Sequence, residues 1–298
     1  MKENYKRVFI LSFIFFMLIV FIINSNYLMF QVLDYTKLFI TKLFPAVFIF
    51  FILASLLIDY GFVEFISKIF HVNGAIFYVI LMSIISGFPS GSKYIRELLD
   101  KKIINLNTAN YLISFTHFPN PLFVFGTVNQ VVDNNILCIY ILISLIGANI
   151  LIGIITNPRE KTLFSNETVN HYSFPHYLSS AINSSLRVVV LIYGTSLFFF
   201  LISTFIIKYI NLSFYGNILI SGLFDLTKGV ISTNFIPNII LKCIFIISFI
   251  SFGSISIHMQ VKNMIESSGI LYKNFFVGRI FQIIISSCIF IILYFFFY

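Results

Sequence analysis

Charged residues are scarce in this chain: Asp, Glu, Lys and Arg make up 10% of its 298 residues. Soluble domains carry about 25% charged residues. Together with 59% hydrophobic residues and a mean hydropathy of +0.98, this deficit excludes a water-soluble globular protein. Tryptophan is absent, so tyrosine and phenylalanine must supply the aromatic side chains at the membrane interfaces. We therefore expect the lipid bilayer to be the solvent of this chain.

Cysteines are few and catalytic signatures are missing. Cys138, Cys243 and Cys288 lie in apolar runs without metal-ligand spacing, which indicates small buried residues and neither a disulfide framework nor a metal site. The sequence contains no His-Glu-x-x-His zinc signature, no paired intramembrane aspartates and no Gly-x-x-x-x-Gly-Lys phosphate loop. Residues 87–91 lack the Gly-x-Ser-x-Gly spacing of a nucleophilic serine turn. We predict neither an enzyme nor a cofactor, and no ATP-driven transport.

Basic residues outnumber acidic ones and give a formal net charge of +8. They are scattered along short loops and at the ends of apolar stretches, where they would meet anionic lipid headgroups. The excess therefore predicts the lipid bilayer as a partner and no nucleic acid.

The apolar runs predict an all-α fold, a polytopic transmembrane helical bundle. Basic residues precede the apolar run 8–23 and no small-residue cleavage pattern follows it. We interpret this run as an uncleaved first helix with a cytoplasmic N-terminus, and not as a signal peptide. Since a span needs about 20 apolar residues, we expect about seven to nine membrane segments. The stretches 75–86 and 217–231 are short, which favours half-helices or re-entrant hairpins.

The longest polar interval divides the chain near its middle. It predicts an N-terminal anchor helix and loop at 1–42, a first membrane half at 43–156, a polar inter-half loop at 157–185 and a second membrane half at 186–298. His171 and His176 in this interval have no acidic or thiol partner at a useful spacing, which favours solvated loop residues over metal ligands.

The two halves resemble each other weakly at an offset of 166 residues, which aligns Gly87 with Gly253 and Asp100 with Glu266. Both copies have an apolar helix, a glycine–serine break and an amphipathic helix in that order. This order predicts two related halves with broken or re-entrant helices, as in many transporters.

The first break has the sequence Ser-Gly-Phe-Pro-Ser-Gly-Ser-Lys. Irregular backbone is tolerated at membrane depth only where protein or a watery cavity satisfies its N–H and C=O groups. Open N–H groups at the following helix N-terminus would attract an anion, and a lysine would add positive charge. The alternative is a tight turn before a cytoplasmic surface helix. The site interpretation predicts ligand contacts from Gly87, Ser90, Gly91, Ser92 and Lys93.

The second break, residues 252–261, brings several polar side chains together in apolar sequence. An intramembrane histidine is either a satisfied interior residue or part of a proton or solute path, and its polar neighbours favour the path. We expect this break to contribute Ser254, Ser256, His258 and Gln260 to the site.

Two more segments complete the predicted solute site. Pro119 and Pro121 must break the helix around Asn120 and free carbonyls for a ligand, although a kinked span is the alternative. We also expect Asp225 and Thr227 to contact the solute.

Cations in apolar segments could pair with protein groups or with a ligand. Lys228 follows Asp225 by three residues, so the two form either a neutralised bridge or a solute-facing pair. Arg187 and Arg279 have few acidic neighbours in the sequence, which makes them candidates for contacts to an anion.

At these motifs the chain resembles the sporulation integral membrane proteins of the YlbJ type, within the wider nucleoside-recognition or Gate-domain group. The resemblance runs from about residue 43 to residue 279. Residues 87–93 fulfil the family pattern Gly-aromatic-Pro-x-Gly-small-basic. Residues 252–261 match its Phe-Gly-Gly-x-Ser-x-His-x-Gln-Val block except at Ser254.

The chain departs from the family in two other places. Asp225 stands where the family has glutamate, and His117, Phe118 and Pro119 stand where small or amide residues are usual. These departures bear on the identity of the ligand more than on the family.

The resemblance implies a multipass protein of endospore-forming bacteria that acts in spore maturation, in the cell membrane or a forespore-associated membrane. It also implies a secondary transporter of a small anionic solute, with dipicolinate as the family's proposed cargo. Two alternatives stay open, a non-transporting scaffold of a sporulation complex and a nucleoside transporter. No oligomeric state follows from the sequence.

Overall fold

The protein was analysed as a computed structural model, which describes residues 2–70, 73–157 and 173–298. Within these ranges the regular elements are helices and no β-strand occurs, which confirms the predicted all-α fold. Among the described residues, five helices are long and apolar enough to cross a membrane. A sixth span results if the bent pair Val47–Asp59 and Phe62–Ile69 is counted as one. The protein is therefore a polytopic membrane protein.

The chain forms two compact units, residues 1–43 and residues 44–298. The first unit contains α1 (Lys2–Ile23), α2 (Ser25–Leu38) and a π-helical turn (Phe39–Leu43). Within α1, Tyr5–Ile23 is one of the five candidate spans, in agreement with the apolar run at 8–23.

The second unit begins with one long helix and several short ones. Its first half consists of α3 (Phe44–Asp59), α4 (Phe62–Phe70), α5 (Gly74–Ser86), α6 (Ser90–Asp100), α7 (Leu106–Leu112), α8 (Pro121–Phe123), a π-helical turn (Val124–Val128), α9 (Asn129–Val132) and α10 (Asn135–Thr156). Its second half consists of α11 (Phe174–Tyr209), α12 (Phe214–Phe224), α13 (Leu226–Ser232), a 3-10 turn (Thr233–Phe235), α14 (Ile239–Phe252), α15 (Ser254–Met264) and α16 (Tyr272–Phe297).

The interval predicted as an inter-half loop is described only in part, and His171 lies outside the described residues. The structure shows that α11 begins at Phe174, before the predicted apolar stretch. Proline at the first turn suits a helix start, because the N–H that it lacks would have no intrahelical partner there. His176 is therefore in a helix and not in a loop.

Helices α5 and α6 form a helical hairpin, which we call hairpin 1 (residues 74–100). Tyr94 stacks edge-on against Tyr78 with centroids 5.8 Å apart, and a Cβ on Gly91 would lie 3.0 Å from Ser83 Oγ. Residues farther from the turn on α5 contact residues farther from the turn on α6, so the two arms are antiparallel. The turn is made by Gly87, whose φ of +74° is strained for any other residue.

Helices α12 and α13 form hairpin 2 (residues 214–232). Its arms approach to backbone contact, since a Cβ on Gly229 would lie 2.2 Å from the Cα of Gly222. Asp225 caps α13 by accepting a 2.8 Å hydrogen bond from the backbone N–H of Lys228. The two stretches that are too short to span are thus arms of hairpins.

Two membrane segments, which we call the first and second broken spans, are interrupted in the middle, and of the two the second is one of the five candidate spans. The first broken span (residues 106–132) loses helical structure between α7 and α8, and Pro121 restarts it at the first turn of α8. The second broken span (residues 239–264) is interrupted at Gly253, which has a φ of +84°. The interruptions touch, because a Cβ on Gly253 would lie 2.9 Å from His117 Nε2.

The order of elements in the second unit repeats. In each half a helix (α3 or α11) precedes a hairpin, a broken span and an unbroken helix (α10 or α16), and the first half has the additional helix α4 after α3. Equivalent helices run in opposite directions, as three contacts between the end of one helix and the start of the other show. These contacts are the rings of Tyr60 and Tyr177 at 5.4 Å, Tyr140 OH to the Phe297 carbonyl at 3.0 Å, and Lys242 Nζ to the Val131 carbonyl at 3.3 Å.

Equivalent elements with opposite directions define an inverted-topology repeat. It does not follow the offset of 166 residues that the sequence suggested. Gly87 lies at the turn of hairpin 1, whereas Gly253 lies inside a span, so the two are not equivalent. The counterpart of the first turn is the segment between Gly222 and Gly229. Both breaks have a glycine at positive φ, a conformation that favours glycine. Their sequences are therefore similar although their positions in the fold are not equivalent.

Candidate functional site

The first group of predicted site residues lies at the turn of hairpin 1, where their polar atoms serve the turn itself. Ser90 Oγ donates to the Gly87 carbonyl. Ser92 Oγ lies 2.7 Å from the Pro89 carbonyl and 3.1 Å from Met264 Sδ on α15. The turn is therefore packed against the second broken span.

Asn120 connects hairpin 1 to the first broken span. Its Nδ2 donates to the Ile85 carbonyl at 2.9 Å, and its Oδ1 accepts from the Leu122 N–H at 2.7 Å. Gly87 approaches it so closely that an added Cβ would lie 2.7 Å from the Asn120 Cβ. Gly91 is equally close to the break, since its Cβ would lie 2.4 Å from the Thr116 carbonyl. The hairpin turn thus fits into the break.

The carbonyls that the proline break frees are occupied by side chains of the protein. Arg279 of α16 is fully buried and donates from Nη2 to the Ser114 carbonyl at 2.9 Å. The His117 carbonyl accepts from Asn149 Nδ2 at 2.7 Å and from Arg279 Nη1 at 3.5 Å. Gln282 Oε1 also accepts from Arg279. These contacts satisfy the carbonyls of Ser114 and His117, as irregular backbone in a membrane requires.

The predicted residues of the second break are buried and mostly bonded to neighbours. Ser254 Oγ and Ser256 Oγ are 2.8 Å apart. His258 Nδ1 lies 2.7 Å from the Tyr272 hydroxyl and its Nε2 lies 3.0 Å from the Phe252 carbonyl.

Gln260, on the same helix, reaches α11. Its Nε2 donates to Ser196 Oγ at 3.0 Å, while its buried Oε1 has no hydrogen-bond partner among the residues that the structure describes. An unpaired buried carbonyl oxygen of this kind is unusual.

Asp225 and Thr227 lie on hairpin 2 and are not at the turn of hairpin 1. The adjacent Lys228 extends to α11, where its Nζ donates to Thr204 Oγ1 at 2.6 Å and to Ser203 Oγ at 3.2 Å. The carboxylate of Asp225 caps the backbone of Lys228. Hairpin 2 is therefore attached to α11, and Lys228 binds hydroxyl groups there.

The place where hairpin 1 meets both broken spans is closed, and we call it the junction. It contains a void of about 10 Å³, lined by Phe88, Pro89, Gly91, Ser92, Ile113, Thr116, His117, Val261 and Phe275. A space of this size holds about one water molecule. The predicted residues at 87–93 and the second break thus adjoin one another, but they do not enclose room for a solute here.

An open cavity of about 1330 Å³ lies between α3, α6, α11 and α15. Of the twelve predicted site residues, Lys93 lines it, and the candidate cation Arg187 lies on its α11 wall. Its other charged lining residues are Asp59, Arg96, Glu97, Asp100, Lys101 and Glu266. The cavity forms where α3 and α11 lie beside α6, so the sequence of any one of these helices did not indicate it.

Most of the cavity's charges are paired. Lys101 pairs with Asp59 and, at 3.4 Å, with Glu97. Arg96 pairs with Asp100 on the same helix and donates to the Glu266 carbonyl on the second half. These contacts connect α6, the second arm of hairpin 1, to α3 and to the segment that follows α15.

Two cations of the cavity are less well neutralised. Lys93 is 7% exposed, with Nζ 2.7 Å from Ser55 Oγ, 3.4 Å from Glu97 and 5.3 Å from the ring centres of Phe51 and Tyr94. Arg187 has no hydrogen bond or ion pair with any residue in the described ranges. The lining carries four basic and four acidic side chains and is formally neutral, so Arg187 is the cation among the described lining residues that an anion could engage.

The chain is similar to one curated protein described as "Sporulation integral membrane protein YlbJ" from Bacillus subtilis (strain 168). The two are 26% identical over 291 residues, covering 80% of this chain and 71% of the relative. This similarity confirms the predicted resemblance to proteins of the YlbJ type. No family model matches the chain. No solved structure matches it either.

Proposed function

From its similarity to a sporulation membrane protein, we propose that this multipass protein acts in endospore formation as a secondary transporter of a small anionic metabolite. The observation that carries the proposal is the inverted repeat, in which hairpin 1 and both broken spans meet at a closed junction beside an open cavity with charged lining residues. Inverted repeats with discontinuous helices are a common architecture of secondary transporters.

The closed junction and the cavity correspond to one state of an alternating-access cycle. Solute enters the cavity, and movement of hairpin 1 relative to the second half then opens the junction. The hydrogen-bonded pair of Arg96 and the Glu266 carbonyl and the ion pair of Lys101 and Asp59 hold α6, the second arm of hairpin 1, in its present position. Movement of one repeat against the other needs these pairs to exchange partners.

An anionic solute suits the cavity because Arg187 and Lys93 both line it and Arg187 has no ion-pair partner among the described residues. Dipicolinate, which the family resemblance implies as cargo, carries two carboxylates that could engage both cations. We place the protein in the bacterial cell membrane with its N-terminus in the cytoplasm, since Lys2, Lys6 and Arg7 precede the apolar run of α1.

The test is uptake of labelled dipicolinate into vesicles that contain the purified protein. We expect saturable uptake, and Arg187→Gln should weaken the apparent affinity about tenfold through loss of one charge-assisted contact. Lys208→Gln removes a cation from the same helix outside the cavity lining and should leave uptake unchanged. Equal uptake by protein-free vesicles would contradict transport of this solute, and a signal with labelled nucleosides alone would identify the nucleoside class instead.

A further inference from the structure

His117 occupies the point at which the interrupted elements meet. It is 3% exposed, and its ring stacks on Phe88 of the hairpin 1 turn with centroids 4.9 Å apart and planes at 20°. Phe275 of α16 meets the same ring edge-on at 5.5 Å. Its Nε2 faces Gly253, where an added Cβ would lie 2.9 Å away. The imidazole thus contacts all the elements that must separate when the junction opens.

The Nε2 atom of His117 is buried and has no hydrogen-bond partner in the part of the chain that the structure describes. Buried polar atoms are nearly always paired, so an unpaired one at a moving contact points to a role in another state. His258 differs, because both of its ring nitrogens are engaged. A carbonyl can only accept, so His258 Nε2 donates to Phe252 and Nδ1 accepts from Tyr272.

The surroundings of His117 favour a neutral ring in the closed junction. The charged and titratable groups that face it are Arg279 on α16 and His258 on α15. The other elements around it contribute the neutral Asn149 of α10, the ring of Phe88, the backbone at Gly253 and the backbone of Ile250 on α14, a hydrogen-bonding group that favours a protonated ring. A proton on Nε2 would create a second cation near a fixed guanidinium, which disfavours the charged ring in a buried site.

We propose that His117 is a proton-binding site that couples opening of the junction to movement of the solute. The ligand of this site is a proton, which travels with the anion. Proton binding separates the His117 ring from Phe88 and Gly253 and supplies a counter-charge to the solute. Loss of the proton restores the closed stack. This inference rests on the proposed transport function and adds the identity of the coupling ion.

The first test needs no solute and measures whether the junction opens when protons bind. Val261 lines the junction void, and it is replaced by cysteine after Cys138, Cys243 and Cys288 have been changed to alanine. Labelling by a membrane-impermeant maleimide is compared at about pH 8 and about pH 5. If Val261→Cys does not fold, Ser92→Cys reports on the same void.

Thiol reactivity itself falls with pH, so the readout is a ratio at each pH. It is the labelling rate of protein with His117 divided by that of His117→Asn, which keeps a polar side chain that does not titrate. We expect a ratio near unity at the higher pH and severalfold above unity at the lower pH. His176→Asn, at an exposed histidine in the first turn of α11, should behave as the parent protein. Equal ratios at both pH values overturn the proposal.

The second test separates this inference from the transport proposal. Vesicle uptake of dipicolinate is measured with and without an inward proton gradient. We expect the gradient to accelerate uptake severalfold in the parent protein, and this ratio should fall to unity in His117→Asn. Uptake without any effect of the gradient overturns proton coupling and leaves transport standing. pH-dependent labelling without uptake supports proton binding by His117 and contradicts transport of this solute.

Discussion

Arg279 donates a hydrogen bond from Nη2 to the carbonyl oxygen of Ser114 at 2.9 Å, so the second half of the chain satisfies the broken backbone of the first. The neighbouring Gly278 allows this approach, because a Cβ there would lie 1.9 Å from the same oxygen. Interrupted helices survive in membranes where buried protein groups replace the missing backbone bonds. One arginine of α16 provides this replacement here.

Replacing Arg279 with methionine should destabilise the protein. The Ser114 carbonyl would lose its 2.9 Å donor, and an unsatisfied buried acceptor costs about 1–3 kcal/mol. The measurement is the thermal unfolding midpoint by circular dichroism in detergent. Arg187→Met is the matched control, because that side chain lines the open cavity. Equal midpoints for the two variants would show that the Arg279 contacts do not hold the break.

Gly278→Ala should weaken the fold through crowding alone. The new methyl group would meet the Ser114 carbonyl at 1.9 Å, and backbone atoms must shift to relieve it. We expect a loss of about 1–3 kcal/mol, as for other overpacked sites. Gly126→Ala is the control, since a methyl group there would meet no atom of the described residues within 4 Å. A stable Gly278→Ala variant would contradict the close approach of α16 to the end of α7.

The ion pair between Lys101 and Asp59 should show measurable coupling between hairpin 1 and α3. A double-mutant cycle with Lys101→Met and Asp59→Asn should give about 0.2–1 kcal/mol, decreasing at high salt because Lys101 is 36% exposed. The same cycle on Arg96 and Asp100, an i,i+4 pair within α6, should leave contacts to α3 unchanged. Zero coupling for Lys101 and Asp59 would mean that this ion pair does not stabilise the contact between hairpin 1 and α3.

Tyr272→Phe should remove the donor that His258 Nδ1 accepts at 2.7 Å. We expect a loss of about 1 kcal/mol in the free energy of unfolding, the usual net value of one hydrogen bond. Tyr215→Phe is the control, since that ring stacks on Phe245 and is 44% exposed. Chemical unfolding in detergent measures both. The same loss in both variants would contradict the assigned bond.

Local sequence predicted the helices and their interruptions well. The stretches at 75–86 and 217–231 were too short to span, and they became arms of hairpins 1 and 2. Pro119 and Pro121 broke the first span where expected, because proline cannot continue a helix. These features depend on residues within one or two turns of each other, so they can be read along the chain.

The pairing of the repeats could not be read in this way. Gly87 and Gly253 share a positive φ but belong to a hairpin turn and a span. The freed carbonyls were expected to await a ligand, and Arg279 and Asn149 occupy them instead. Both outcomes depend on which helices are neighbours, which contacts far apart in sequence decide.

The sequence by itself determined that the chain lives in lipid, that its elements are helices, and where proline and glycine interrupt them. The hydrocarbon core favours apolar side chains, and it requires every backbone N–H and C=O group to be bonded within the protein. Both requirements depend on residues close together in the sequence. The tertiary structure alone decided that the two halves run in opposite directions and that the junction is closed. It also decided that the charged cavity lies beside the breaks, because burial and ion pairing depend on residues that folding brings together.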